Sequence, residues 1–455
     1  MTNVRLAAAR ALLSIDNREA TLGGVLDAAH QQIESVRDRA LMLEITIGAL
    51  RWRNELDALL ASASRRSVRE IDPRALAVLR LGAYQLRHLD RVPAHAVVHE
   101  SVHVARALGA ESAAGFVNAV LRAMIRRGPA LSLPARPGAS GHRDAQVSYL
   151  SVTLSHPAWL VRRWIDRMGF EAAEAWCRFN NTPPDVTVRA FEGGPVEELL
   201  ARLQAENIAA VPAPFVTDAM RLPPGALGKV SPELRLQLWA QDEAAQLVAR
   251  AAFVQPGERV LDLCAAPGGK TLVLANDLQL RDHVGTGQLV AADGRPGRVR
   301  MLKETLDQAR LPVSVVLLDG REPLPFAPVF DCVVVDAPCS GLGTLRREPD
   351  LKWTRTADDL PVLAADQLRL LAAAAAVVRP GGRVVYATCS SEPEENAGVV
   401  DRFLESDSRF APAQGHALGG VPPDVLDERG HLVTRPDRHA LEAFFAAVLV
   451  RQLGT

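Results

Sequence analysis

Val260-Leu261-Asp262-Leu263-Cys264-Ala265-Ala266-Pro267-Gly268-Gly269-Lys270-Thr271 decides how the second half of this chain folds. It begins as an apolar run, Arg259 to Leu263, turns through small residues, and leads into helical spacing at Leu272 to Leu278. Small residues let backbone approach a ligand closely, and a helix N-terminus behind them favours an anionic group. Four more β-branched apolar runs follow, at Leu289 to Ala292, Val313 to Leu318, Cys332 to Val335 and Arg383 to Thr388. Helical spacing fills Pro296 to Ala309 and Ala364 to Val378. Buried strands alternating with helices define a doubly wound α/β sheet. Such sheets bind ligands beyond the carboxyl ends of their strands.

Those ends carry an ordered set of groups. The loop after the first strand admits two readings. Gly269-Lys270-Thr271 matches the end of a P-loop, but Cys264 stands where its first glycine belongs and Pro267 removes an amide. The other reading is a nucleoside-cofactor loop that wraps a carboxylate tail. Asp293 ends the second strand, where a carboxylate accepts from both hydroxyls of a ribose. Asp319 ends the third, placed to accept from an exocyclic amine, and Asp336 ends the fourth. A P-loop enzyme has no use for the first two. Cys339 and Cys389 follow the fourth and fifth strands among turn residues, on one edge of the sheet. Two thiols converging beside a nucleoside site suggest covalent chemistry. Cys177 and Cys332 read instead as inert buried thiols.

The 455 residues suggest three domains, and 48% hydrophobic with 23% charged residues is ordinary for a globular chain. Residues 1–130 read as helices at Val4 to Ile15, Arg37 to Trp52, Pro73 to His88, Ala94 to Ala107 and Ala113 to Ile125. Asp72-Pro73 marks one helix start. This region has 18 arginines, no lysine and 13 carboxylates. Its balance of +5 is hidden inside a total of -1 and leaves -6 for the rest. A basic helical region suits a polyanion, and a solvated arginine face is the plain alternative. Residues 131–146 have linker composition, 147–232 read as a small α/β domain, and 233–455 form the doubly wound domain. Five cysteines without a pairing pattern point to reduced thiols and a cytoplasmic location. The longest apolar run, Leu370 to Val378, is about half of the ~18 residues a membrane helix needs. No membrane partner is expected.

His99-Glu100-Ser101-Val102-His103 spells H-E-x-x-H, with His95 one turn before it. A zinc peptidase is therefore a rival, but it leaves the strand ends without a purpose. No metal is expected. Other rivals are a P-loop NTPase and a non-catalytic RNA-binding factor.

Val260 to Thr271, Asp336-Ala337-Pro338-Cys339-Ser340-Gly341 and Thr388-Cys389-Ser390 together resemble the RNA cytosine-5 methyltransferases of the Nop/Sun type. Arg346-Arg347-Glu348-Pro349-Asp350-Leu351-Lys352-Trp353 resembles the bacterial Sun/Fmu branch, which methylates small-subunit ribosomal RNA. Tyr84-Gln85-Leu86, Val92 to Val98 and Gly115 to Arg122 resemble the antitermination factor NusB, and His156 to Val161 resembles the family's middle RNA-binding domain. Arg189-Ala190-Phe191 departs from the family's Arg-x-Asn, and Leu441-Glu442-Ala443-Phe444-Phe445 from its Asp-Gly-Phe-Phe.

The resemblance implies an all-α NusB-like domain, a small α/β domain and a Rossmann-like methyltransferase domain. It implies S-adenosylmethionine as cofactor, with Cys264, Ala265, Ala266, Pro267, Gly268, Gly269 and Lys270 around the methionine portion, Asp293 on the ribose with Arg298 in support, and Asp319 at the adenine amine. It implies Cys389 as nucleophile, Cys339 as an aid to proton removal or product release, and Asp336 on the cytosine edge. Carbon 5 of cytosine is a poor nucleophile until a thiolate adds to carbon 6. The expected substrate is one cytidine of 16S ribosomal RNA, with another RNA such as tRNA as the alternative. The chain is expected to act as a monomer.

Overall fold

The computed structural model describes residues 4–138, 141–191, 195–282, 287–413 and 420–453. Residues 139 and 140 of the expected linker lie outside the described residues. The chain forms two compact units, Met1–Thr182 with Leu345–Ala357, and Pro183–Thr344 with Asp358–Thr455.

The first unit is helical. Helices run at Val4–Asp16, Leu22–Gln32, Val36–Arg51, Arg53–Ser64, Pro73–His88, Ala94–Ala107 and Ala114–Arg127. Ile15, Ile45, Leu56, Leu79 and Leu121 are buried in their common core. Asp72 starts the helix read from Asp72-Pro73, its carboxylate accepting from the amides of Arg74 and Ala75. Helices Ala158–Met168 and Phe170–Asn180 belong to this unit too. Two helices carried weak signals in sequence. Leu22–Gln32 contains Gly23-Gly24 and depends on a Thr21 cap. Arg53–Ser64 is separated from the preceding helix by Trp52 alone.

The segment Leu345–Ala357 is a structural part of this helical unit. Lys352 is buried, and its ammonium donates to the carbonyls of Arg51 and Ser155, both at 3.2 Å, and to Asn181 Oδ1 at 2.9 Å. Burial pushes its pKa well below the usual value. Trp353 Nε1 donates to Leu50 O at 2.6 Å, and Leu22 N donates to Asp350 at 3.2 Å.

The second unit holds two sheets. The smaller is antiparallel, in the order β2-β3-β1-β4, from β1 (Val186–Ala190), β2 (Val211–Pro212), β3 (Met220–Leu222) and β4 (Leu238–Ala240). Helix Val196–Ala205 contributes Leu199 and Leu203 to the core with Val188, Met220 and Leu222. Arg189, at the departure from Arg-x-Asn, is buried with its guanidinium 3.7 Å from Asp218.

The larger sheet has eight strands: β5 (Arg259–Leu263), β6 (Gln288–Asp293), β7 (Ser314–Leu317), β8 (Phe330–Asp336), β9 (Val378–Thr388), β10 (Phe410–Pro412), β11 (Leu432–Val433) and β12 (Phe445–Arg451). The path is β10-β12-β9-β8-β5-β6-β7, with β11 on β12. Strands β5 to β9 are parallel, whereas β12 lies antiparallel to β9. After β5 the chain winds outward to β6 and β7, then returns to place β8 on the other side of β5. The switch point therefore lies between β5 and β8, where a ligand crevice is expected.

One sequence expectation is corrected here. All of the run Leu370 to Val378 but its last residue belongs to a longer helix, Asp359–Val377, whose 19 residues are long and apolar enough to cross a bilayer by length and composition alone. Gln367 and Arg369 interrupt the apolar run in sequence but not the helix. In the fold Gln367 is buried beside Leu370, Leu371 and Ala374, and the helix packs on β8 and β9.

Candidate active site

The β5 loop is shaped by backbone needs. Cys264 takes φ 67° and Gly268 φ 109°, a left-handed pair that folds the chain back before helix Gly269–Asp277. Ala265 N donates to Ala292 O at 2.8 Å, which ties the loop to the end of β6. A Cβ on Gly269 would lie 3.1 Å from Trp239 Nε1 and 3.2 Å from the Gln241 amide. The P-loop reading gains nothing from this geometry, because Lys270 turns toward a carboxylate: its Nζ is 2.7 Å from Asp336 Oδ2, across the switch point. Burial opposes the lysine's charge, but Asp336 outweighs it, and the pKa rises. Phe444, in the stretch that departs from Asp-Gly-Phe-Phe, sets its ring 5.6 Å from the same ammonium.

Asp293 is buried at the end of β6, and Arg298 joins it to the β5 loop. The guanidinium lies 3.1 Å from Asp293 and donates to Ala266 O at 2.5 Å. Asp319 is different. It is exposed and accepts from Arg321 through Nη2 at 2.8 Å and Nε at 3.0 Å. That hydrogen bonding holds its pKa at about 2.

The two turn cysteines meet. Cys339 Sγ and Cys389 Sγ are 3.2 Å apart, beyond the ends of β8 and β9. Gly343 braces the second of them, its N–H donating to Cys389 O at 2.9 Å and its carbonyl accepting from Ala443 N at 3.0 Å. Cys177 and Cys332 are buried in separate cores, and burial pushes the Cys332 thiol up to about 12. Burial also raises the Cys264 thiol, which works against its thiolate form.

Several groups here were not singled out from sequence. Asp262, inside β5, is fully buried and accepts from the Thr271 hydroxyl at 2.6 Å, while its other oxygen has no protein partner. Burial lifts its pKa to about 7. Trp239 Nε1 and Gln241 Oε1, beside Gly269, are likewise buried without a protein partner. Glu395 and Asn396 bind the residues around both cysteines. Their only sequence signal was a polar run, Glu392-Pro393-Glu394-Glu395-Asn396, separated from Cys389 by Ser390 and Ser391.

The H-E-x-x-H pair lies in the other unit. His99 and His103 are exposed, with their Nε2 atoms 3.1 Å apart. Among the described residues no three metal-ligating side chains gather.

A loop with orphaned buried polar atoms after β5, a buried acid at the end of β6 and paired thiols beyond the ends of β8 and β9 fit a methyltransferase of the doubly wound class. Family models match along the chain: the NusB family over residues 2–126, an RsmF/B-like ferredoxin-like domain over 156–225, and 16S rRNA methyltransferase RsmB/F over 251–450. The probable ribosomal RNA small subunit methyltransferase B of Bacillus subtilis (strain 168) is 33% identical over 98% of both chains. Ribosomal RNA small subunit methyltransferase B of Pseudomonas putida is 36% identical over 88% of this chain and 89% of its own. The crystal structure of PH0851 has a TM-score of 0.79 over 98% of both chains, at 22% identity. A methyltransferase homologue from Pyrococcus horikoshii reaches 0.56 at 25% identity, over 68% of this chain and all of its own. The chain belongs to the 16S rRNA methyltransferase RsmB/F family, whose methyl donor is S-adenosylmethionine.

Proposed function

We propose that this protein methylates carbon 5 of a cytidine in 16S ribosomal RNA through a covalent adduct with Cys389. The observation that carries the reading is the 3.2 Å approach of Cys339 and Cys389 at the carboxyl edge of the sheet. One thiol alone would serve addition to carbon 6; two in contact suit a cycle that must also release the product. The Cys389 thiolate attacks carbon 6, carbon 5 takes the methyl group, the carbon 5 proton leaves, and the carbon 6–sulfur bond breaks. Cys339 aids the last two steps. Asp336 holds the cytosine edge, with Lys270 fixing the carboxylate.

S-adenosylmethionine supplies the methyl group when bound. Cys264 to Lys270 wrap its methionine end, where the orphaned oxygen of Asp262 offers an acceptor for the ammonium. Asp293 takes the ribose with Arg298 holding it, and Asp319 takes the adenine amine. Residues 1–130 and 147–232 grip RNA while 233–455 act on one base, which must be presented unstacked. All reacting groups come from one chain, so a monomer suffices, and thiol chemistry suits the reducing cytoplasm.

The test is transfer from labelled S-adenosylmethionine to small-subunit ribosomal RNA, followed by mapping of 5-methylcytosine. Cys389→Ala is expected to abolish transfer, and Cys339→Ala to trap an RNA adduct that survives denaturation. Methylation elsewhere than carbon 5 overturns the reading.

A further inference from the structure

Each cysteine is flanked by residues whose polar groups converge on one place. On the Cys339 side, Ser340 donates to Glu395 through its N–H at 2.8 Å and its hydroxyl at 2.5 Å. On the Cys389 side, the Ser390 hydroxyl donates to Glu395 Oε2 at 2.5 Å. Gln367 completes the set, donating from Nε2 to Glu395 Oε1 and to Pro338 O, both at 3.0 Å. The next residue fixes the second loop again: Asn396 accepts from the Thr388 hydroxyl at 2.5 Å and donates to Ser390 O at 2.9 Å.

Thus both neighbours of both thiols, Pro338 and Ser340, Thr388 and Ser390, are tied to Glu395 and Asn396, directly or through Gln367. The two carboxylate oxygens of Glu395 meet the two serine hydroxyls, one amide N–H and Gln367. The carboxylate is fully buried, so water does not compete for these bonds. A plain core role would not need an acid between two loops fifty residues apart.

We propose that Glu395, with Asn396, is the positioning element that sets the separation of Cys339 and Cys389 for reaction. The proposal rests on the two-cysteine reading of the reaction. Glu395 touches no reacting atom. It acts by holding the loops, so its loss lowers turnover rather than substrate binding.

The test pairs kinetics with a chemical ruler in the full-length protein. Diamide takes two electrons and two protons from a pair of neighbouring thiols, which join as a disulfide, and peptide mass spectrometry detects a 339–389 link. In wild type this link forms readily. In Glu395→Ala, kcat is expected to fall by about 100-fold, as misplacement of reacting groups by about 1 Å does, and the link to form about tenfold more slowly. KM for S-adenosylmethionine and for RNA stays within about threefold. Glu395→Gln keeps one oxygen toward the two fixed N–H donors, while both serine hydroxyls rotate to accept from its amide. It is expected to recover kcat to within about tenfold of wild type. If Glu395→Ala does not fold, Ser340→Ala combined with Ser390→Ala removes the hydroxyls without emptying the site, and is expected to slow the link likewise. A folded Glu395→Ala protein with unchanged link formation and kcat overturns the proposal, as does a change confined to KM. Wild type that links but transfers no methyl group to carbon 5, with linking slowed in Glu395→Ala, defeats the reaction assigned above and leaves the clamp standing.

Discussion

Lys270 Nζ and Asp336 Oδ2 form a 2.7 Å ion pair across the switch point, joining the first helix of the catalytic sheet to the end of its central strand. The lysine side chain is 11% exposed and the carboxylate 30%. The pair is therefore only partly screened.

Breaking the pair from the lysine side leaves a carboxylate facing an apolar stub. Lys270→Met is expected to cost about 1–3 kcal/mol, below the figure for a fully buried pair because Asp336 is partly solvated. The sign of the pH dependence follows from the raised lysine pKa. The contribution is complete below the ordinary value of 10.5 and is lost as pH rises through the higher folded value. The mutational loss, read from urea unfolding, should thus be the same at pH 6 and pH 8 as far as Lys270 titrates. A loss present at pH 6 and gone at pH 8 would sink this account.

Asp262 works against stability. Its folded pKa of about 7 stands above the ordinary 3.8. Between those values the unfolded chain gives up its proton while the folded chain keeps it, so stability falls as pH rises. The full penalty, reached above the folded value, is up to about 4 kcal/mol. Asp262→Asn should be more stable than wild type at pH 8, and the gain should fade as pH drops toward 4. On the assignment of Asp262 to the cofactor's ammonium, the same variant binds S-adenosylmethionine more weakly. Parallel unfolding curves at pH 4.5 and pH 8 check the first point, and calorimetric titration the second.

Gly343 has no room for a side chain. A Cβ there would come within 2.0 Å of Ala443 O and 2.7 Å of Cys389 O. Both obstacles are backbone, so neither gives way cheaply. Gly343→Ala is expected to cost about 3 kcal/mol or more and to displace Cys389. A melting temperature equal to wild type, with normal methyl transfer, would show the contact to be wrongly placed.

Much of this is legible in the sequence. The strand at Arg259 to Leu263 and the helices at Pro73 to His88 and Ala94 to Ala107 were readable because periodicity, caps and breakers agreed along short stretches. That Cys339 and Cys389 lie on one edge of the sheet was readable because each follows a strand of a parallel sheet. What could not be read was pairing at long range. Strand β12 has an apolar run that gains its meaning from the strands beside it, β9 above all. Lys352 stands in a run whose sequence shows only a family resemblance, yet three neutral oxygens from distant parts of the helical unit hold it. Glu395 looked like one acid in a polar run. Nothing local says that its donors come from Ser340 as well as Ser390.

The two acids assigned to the nucleoside should differ in weight. Asp293 is buried, and Arg298 holds it at 3.1 Å in an orientation tied to the β5 loop. A ribose reaching it meets a preorganised acceptor, and each hydrogen bond to a charged group is worth about 1.5–3 kcal/mol. Asp293→Ala should therefore weaken S-adenosylmethionine binding by about 50-fold or more. Asp319 is already engaged by Arg321 at both oxygens and lies in solvent. An incoming amine must share that carboxylate, so its net gain is small. Asp319→Ala is expected to weaken binding by only about fivefold. Isothermal titration of both variants decides the matter. Equal losses would mean that burial does not rank these acids, and a larger loss at Asp319 would place the nucleoside elsewhere along the strand ends.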